Sequence, residues 1–346
     1  MADTADDRPP AAPGLSGAVR DWLVMSPALA WLAVFLVVPL VYVVRTSLSA
    51  DPSALTAIGW SFENYTAMLP VYWGNLVNSL LIGLGATIVA FAIATPVAYG
   101  ISFHGGSQRT VLLFAFVAPF LTSYLIRVVS WQTLLGANGP LFGTVQHLTG
   151  VEIRILGTPF AVIAGLSYQL VPFVLLPLYA AFNRVDRTLC AAADDLYSAR
   201  CGARGALWGA LAGLGGGVLF AFILSGRQPV LDIATATGVA GCTVVAALLG
   251  WRMTERFALV VLPLSRNGFL AAAVLTFIPA LGDYVNASLL GNVRTQMLGN
   301  VIQAKFLVEL DYAGAAAAAT VLLVTALVLL FVLLRIMRGR EILDVV

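Results

Sequence analysis

Residues 26–48 read SPALAWLAVFLVVPLVYVVRTSL, a run whose one charged side chain, Arg45, lies close to its end. A bilayer core needs about 20 mostly apolar residues per helix, so this stretch is long enough to cross one. It also exceeds the roughly 7–15 apolar residues of a secretory signal, and the segment before it, 1–13, is acidic and Pro-rich rather than basic. Residues 1–24 are therefore expected to form a disordered cytoplasmic tail that is retained. Working outward, five further runs have the same character: 76–103, 111–135, 160–182, 268–290 and 313–337. Two shorter stretches, 206–224 and 233–251, are rich in Gly, Ala and Thr.

Composition agrees. Of 346 residues, 60% are hydrophobic and only 10% charged, with a net charge of +2; the mean hydropathy is +0.92. So few charges cannot cover a water-facing surface, which excludes a soluble enzyme, a disordered chain and a nucleic-acid binder. Cys190, Cys201 and Cys242 form no CxxC pair, and His104 and His147 are the only histidines. Neither a disulfide framework nor a metal site is expected.

Cationic residues orient the spans, because they concentrate on cytoplasmic flanks. With the N-terminus inside, thirteen arginines, from Arg8 and Arg20 to Arg338 and Arg340, fall on inner flanks. Five cations fall outside (Arg45, Arg154, Arg227, Arg294 and Lys305), and Arg127 lies within a span. Both termini are then cytoplasmic, which requires an even number of crossings. Six satisfies this, as does eight if 206–224 and 233–251 form a spanning hairpin. The outer loops 49–73 and 136–158 are the longer ones, and Trp60, Tyr65, Tyr72 and Trp73 suit a headgroup-level aromatic belt.

Polar groups at membrane depth are costly and tend to face a bundle interior or cavity. Ser123, Arg127, Ser130 and Trp131 recur at helical spacing and share one face of the third span. That face either lines a translocation path or gate, or lets Arg127 snorkel to the outer headgroups. Asp283 follows Phe277-Ile278-Pro279-Ala280-Leu281-Gly282, where Pro and Gly together break a helix and free backbone groups. A carboxylate there suits a cationic substrate or, alternatively, caps a loop at the membrane edge. Tyr168-Gln169 ahead of Pro172 is a similar, weaker signal, and aromatic faces attract ammonium groups. No P-loop, GxSxG, HExxH or Ser/His/Asp set is present, and Gly213–Gly217 lacks the Lys-Ser/Thr of a phosphate cradle. The chain is expected to be non-catalytic and cofactor-free, so uphill transport must draw on a partner or an ion gradient.

Several segments taken together resemble the membrane-spanning permease subunit of a bacterial ABC importer, the type I (MetI-like) class, and within it the spermidine/putrescine permeases. They are Ser26-Pro27-Ala28 with Val38-Pro39-Leu40, Phe62-Glu63-Asn64-Tyr65, Ala118-Pro119-Phe120 through Arg127 with Ser130-Trp131, Thr158-Pro159-Phe160, and Val185-Asp186-Arg187-Thr188-Leu189. The best match runs from Leu262-Pro263-Leu264-Ser265-Arg266-Asn267-Gly268 through Asp283-Tyr284 to Gly299-Asn300-Val301-Ile302-Gln303.

The resemblance implies an all-α integral membrane protein, a MetI-like bundle of six transmembrane helices. It also implies residence in the bacterial inner membrane and four kinds of contact: two cytoplasmic ATP-binding subunits, a second permease subunit, an extracytoplasmic solute-binding protein and lipid. The substrate is expected to be a small organic cation such as spermidine or putrescine, with iron or thiamine as alternatives. The residues expected along the path are Ser123, Tyr124, Arg127, Tyr168 and Asp283. Those expected at the ATPase contact, on the short cytoplasmic EAA loop, are Asp186, Arg187, Leu189, Ala192, Ala193, Asp195 and Leu196.

The EAA core departs from the family pattern: Ala191 stands where Glu is expected and Tyr197 where Gly is. Tyr does not readily adopt the positive φ that a glycine turn permits. In addition, 204–253 separates this core from the last two spans, which the family joins by a short link. The preferred reading is an inserted helical hairpin that crosses the membrane; an interfacial or cytoplasmic hairpin is the other. The chain then divides into a tail (1–24), four spans with the coupling-loop core (25–203), the hairpin (204–253), two further spans (254–340) and a cytoplasmic tail (341–346). The altered core also motivates two rivals, a stand-alone secondary transporter and an uncoupled paralogue.

Overall fold

The computed structural model describes residues 17–53, 59–136, 139, 155–190, 192 and 257–341, and every regular element among them is helical. The first span is one rod: α1 (Gly17–Leu32), a π-helical turn (Ala33–Val37) and α2 (Val38–Ser47). Then come α3 (Glu63–His104), α4 (Arg109–Val117), α5 (Tyr124–Leu135) and α6 (Pro159–Phe182). After the break in description lie α7 (Arg266–Leu281), α8 (Val285–Leu290), α9 (Leu298–Leu307) and α10 (Tyr312–Glu341).

Among the described residues, four helices are long and apolar enough to cross a membrane: Met25–Ser47, Glu63–Phe103, Pro159–Phe182 and Tyr312–Arg335. Two expected spans are not straight. The run 111–135 is a bent pair, Gly106–Leu121 and Tyr124–Leu135, with an angle of 84° between its halves. Pro119 lies in a 3-10 turn there, and Thr122 and Ser123 are extended (ψ 160° and 136°), so no continuous helical hydrogen-bond ladder passes through. The run 268–290 is α7 and α8 around a break at Gly282-Asp283-Tyr284, as Pro279 and Gly282 predict. α7 has 16 residues, short of the ~20 that a full crossing needs. A third difference concerns 49–73: its second half is already helix. Ser61 Oγ accepts from the Glu63 N–H, and Glu63 supplies negative charge to the first turn of α3. The inserted hairpin, 204–253, lies outside the described residues.

Small residues set the packing, because close approach is what holds helices together where lipid removes the hydrophobic drive. Ala86, Ala90, Ala94 and Ala98 form a fully buried ladder at i, i+4 spacing along α3. They belong to one core with Val162, Leu166, Leu170, Val174 and Leu178 of α6. α6 packs against α3 and α7, which also touch each other, and α10 packs on α3 and carries α2. A second, smaller core joins Met68 and Leu76 of α3 to Leu298, Val301, Ala317 and Ala318. Five hydroxyls inside the apolar helices are satisfied locally: Thr87, Ser167, Thr276, Thr320 and Thr325 each donate to the carbonyl four residues back.

Candidate functional site

The α7–α8 break is fastened to the bend between α4 and α5. Tyr124, the first residue of α5, donates its hydroxyl to Asp283 Oδ2. Asn286 Nδ2 donates to the Tyr124 hydroxyl (3.0 Å) and to Asp283 Oδ2 (3.1 Å). Asp283 Oδ1 accepts from the Asn286 backbone N–H (2.8 Å), which caps the first turn of α8. Asp283 thus has the capping role read from sequence and a second tie to another span. Asn286 is fully buried, and its Oδ1 has no hydrogen-bond partner. A Cβ on Gly165 would lie 3.1 Å from that oxygen and overlap Leu290, so the glycine allows α6 to approach α8.

Beside this cluster is an aromatic group. The Phe120 and Tyr168 rings are 4.9 Å apart and Trp131 lies 5.8 Å from Tyr168. The Arg127 guanidinium sits 5.7 Å from the Phe120 ring, half-buried, with its Nε lacking a partner. The structure therefore brings Tyr124 and Asp283 into direct contact, with Arg127 one turn along α5 and Tyr168 among the nearby rings. Ser123 is exposed, and its carbonyl accepts from the Arg127 N–H. Sequence reasoning did not select Asn286; its spacing of three from Asp283, with the break between, was the available signal. Among the described residues no group of three or more metal-binding side chains gathers.

The loop after α8 is held by α3. Asn75 donates to the Gln296 carbonyl, Asn78 to those of Arg294 and Gln296, and Ser79 accepts from the Leu298 N–H. Of the expected belt, Trp60 and Trp73 are exposed, whereas Tyr65 shares a 2.5 Å hydrogen bond with Ser47 and Tyr72 lies under Lys305.

At the opposite end of α3, residues 187–190 and 192 are helical. The Thr188 N–H donates to Asp186 Oδ1 (2.9 Å), and this bond with the Thr188 hydroxyl holds the exposed carboxyl below the usual carboxylate range. Arg187 Nη2 donates to the Ser102 carbonyl. Leu189 and Ala192 are exposed. Ala193, Asp195 and Leu196 lie outside the described residues.

No family profile matches the chain. It is 31% identical over 309 residues to the spermidine/putrescine transport system permease protein PotB of Haemophilus influenzae, covering 88% of this chain and 90% of that one. Identity to PotB of Escherichia coli is 28% over 305 residues, covering 87% and 92%. The inner membrane ABC transporter permease protein YdcU of E. coli is 23% identical over 237 residues, covering 64% and 58%. Among solved structures, a chain of a bacterial ABC transporter involved in import of the acidic polysaccharide alginate superimposes with a TM-score of 0.58 at 15% identity, covering 93% of this chain and 96% of that one. A chain of the alginate transporter in complex with a pentasaccharide-bound periplasmic protein gives 0.56 at 16%, covering 91% and 93%.

Proposed function

The chain belongs to the ABC importer permease family that includes the spermidine/putrescine permeases, and on that premise we propose that it forms part of the path for a polyamine across the bacterial inner membrane. Both termini are cytoplasmic in this reading. Two ATP-binding subunits dock on the inner side, a solute-binding protein on the outer side, and a second permease subunit completes the path. The chain itself hydrolyses no nucleotide; ATP turnover in the partners moves the α7–α8 break against α5 and α6.

The observation that carries the site assignment is the Tyr124–Asp283–Asn286 cluster, a carboxyl held at a helix break between two spans. Asp283 supplies the negative group for a cation, Tyr124 orients it, and Tyr168 adds an aromatic face. Arg127 lies one turn away and keeps the site from accumulating net negative charge, which would hold a polycation too tightly to release. Ser123, at the bend, is assigned to the same path. The exposed Leu189 and Ala192, with Ala193, Asp195 and Leu196, are assigned to ATPase contact. Asp186 and Arg187 position that segment.

The test is purification of the tagged chain from its host, followed by reconstitution. ATP-binding subunits and a second permease are expected to co-purify, and the complex should import spermidine only with ATP and its binding protein. Full uptake by the chain alone without ATP would overturn the reading. The replacement of Glu and Gly by Ala191 and Tyr197 favours a second reading, an uncoupled paralogue. In that case the wild-type complex is inactive, and uptake appears when Ala191→Glu and Tyr197→Gly are combined with deletion of 204–253.

A further inference from the structure

Asn286 is the member of the Tyr124–Asp283–Asn286 cluster that has no assigned part in the path. It is fully buried, yet its side chain is polar and its Oδ1 has no hydrogen-bond partner. That oxygen lies beside α6, where a Cβ on Gly165 would stand 3.1 Å from it. An unfilled buried acceptor is costly, and a leucine, branched at the same carbon, would not incur the cost. Stability alone therefore does not call for an amide at this position.

What the amide supplies is direction. The Tyr124 hydroxyl gives its one proton to Asp283 Oδ2, so towards Asn286 its oxygen can only accept. Asn286 Nδ2 has two hydrogens: one goes to that oxygen at 3.0 Å, the other to Asp283 Oδ2 at 3.1 Å. The backbone N–H of the same residue goes to Asp283 Oδ1 at 2.8 Å. A carboxylate offers roughly four lone-pair positions, two on each oxygen. Oδ2 is then filled, and Oδ1 keeps one position open. Asp283 is half-buried, with exposed Gly282 and Tyr284 on either side, so the carboxyl borders on accessible surface while Asn286 is sealed off.

We propose that Asn286 is a positioning residue: by filling Oδ2 jointly with Tyr124, it turns Asp283 so that Oδ1 alone receives an N–H of the transported ammonium group. The proposal rests on the polyamine-permease reading and deepens it, naming the atom that meets the cation and the residue that aims it. Asn286 touches no substrate and acts only through Asp283. With a single open position the carboxylate makes one charge-assisted bond to the cation rather than a forked pair, and a single bond is the easier one to release.

The experiment is a double-substitution cycle read by ATP-driven uptake of radiolabelled spermidine by the complete importer in proteoliposomes, with assembly read by co-purification of the partner subunits. N286L keeps the backbone N–H to Asp283 Oδ1 and removes both side-chain donors, and it should raise KM about threefold to 10-fold. The D283N/N286L variant should differ from D283N by less than about twofold in KM, because a residue that acts through a carboxylate has nothing left to aim once that charge is gone. N286A, which removes the same donors without adding bulk beside Gly165, should reproduce both results if N286L fails to assemble. A KM equal to wild type in the single variant, or effects that multiply in the double variant, would overturn the assignment. Failure of both N286L and N286A to assemble would overturn it too, by leaving Asn286 a packing role alone. No spermidine uptake by the wild-type complex would instead overturn the function reading on which the proposal stands.

Discussion

Arg187 donates from Nη2 to the backbone carbonyl of Ser102 at 3.1 Å, joining the segment after α6 to the last turn of α3. A helix C-terminus leaves carbonyls without partners and carries partial negative charge, so a guanidinium there is favourable on both counts. The other half of α3 holds the loop after α8 through Asn75, Asn78 and Ser79. One continuous helix of 42 residues thus connects the expected ATPase side with the loop beyond the helix break.

If that connection transmits movement, Arg187→Leu should lower the ratio of substrate imported to ATP hydrolysed by the assembled importer. It should also raise amide exchange over residues 100–104. The loss corresponds to about 1–3 kcal/mol locally, the range for a hydrogen bond from a charged donor. Arg187→Lys, which keeps the charge and shortens the reach, should fall between. An unchanged ratio with faster exchange would assign Arg187 to helix capping alone.

Asp283 caps the first turn of α8, and in the proposed path its charge also meets the cation; two substitutions separate these roles. Asn caps a helix about as well as Asp, so Asp283→Asn keeps the bond from the Asn286 N–H while removing the charge. Asn286 can rotate its amide to present the open Oδ1 to the new side chain. The expected outcome is a KM for spermidine raised about 10-fold with little change in Tm. Asp283→Ala should in addition lower stability by about 1–3 kcal/mol, through loss of the cap and of the partner for Tyr124. Equal KM for Asp283→Asn and wild type across a spermidine titration would leave the residue as a cap only.

Lys305, in α9 and outside the spanning helices, pairs with Asp311 at 2.7 Å and Glu309 at 3.3 Å. Burial alone would lower its proton affinity, but these carboxylates and the Tyr72 ring hold it above its ordinary value of 10.5. A group whose proton is bound more tightly in the folded state stabilises fully below the unfolded value, and that contribution disappears as pH rises through the folded one. The melting temperature should therefore carry no component from this pair between pH 6 and pH 9, and an alkaline decline above about pH 10.5. Lys305→Met should remove that alkaline component; a decline of equal size in the variant would show that another group causes it.

Gly165 is required by packing rather than by backbone conformation. A side chain there would overlap Leu290 and crowd Asn286, and interiors of this density accommodate extra methylenes poorly. Gly165→Val should destabilise the chain by about 1–3 kcal/mol, read as a lower Tm in detergent. Pairing it with Leu290→Ala should recover part of the loss, because it opens the space that the valine needs. No recovery in the pair would mean that the backbones themselves have moved apart.

Several features were legible from residue order. The spans are stretches of apolar residues, so 160–182 ends within one residue of the helix Pro159–Phe182 and 26–48 within one residue of Ser47. The first helix starts earlier than expected, at Gly17, within the segment 1–24 read as a disordered tail. Pro279 and Gly282 announced a break, and a break formed beside them. The 84° bend was not legible, because 111–135 is apolar enough overall to read as one span and Pro119 by itself is compatible with a kink as well as with a break. The start of α3 at Glu63 was missed because loop-like aromatics precede and follow it.

The sequence by itself determined that this chain lies in lipid, where its spans fall and that Asp283 follows a helix break, because hydropathy and backbone chemistry are local properties. Only the tertiary structure decided that the Tyr124 hydroxyl donates to Asp283, 159 positions away, and that Asn286 is buried against both. Such neighbours are set by antiparallel register between helices, and register depends on where Gly165, Gly268 and the alanine ladder let backbones meet, which no stretch of one helix contains on its own.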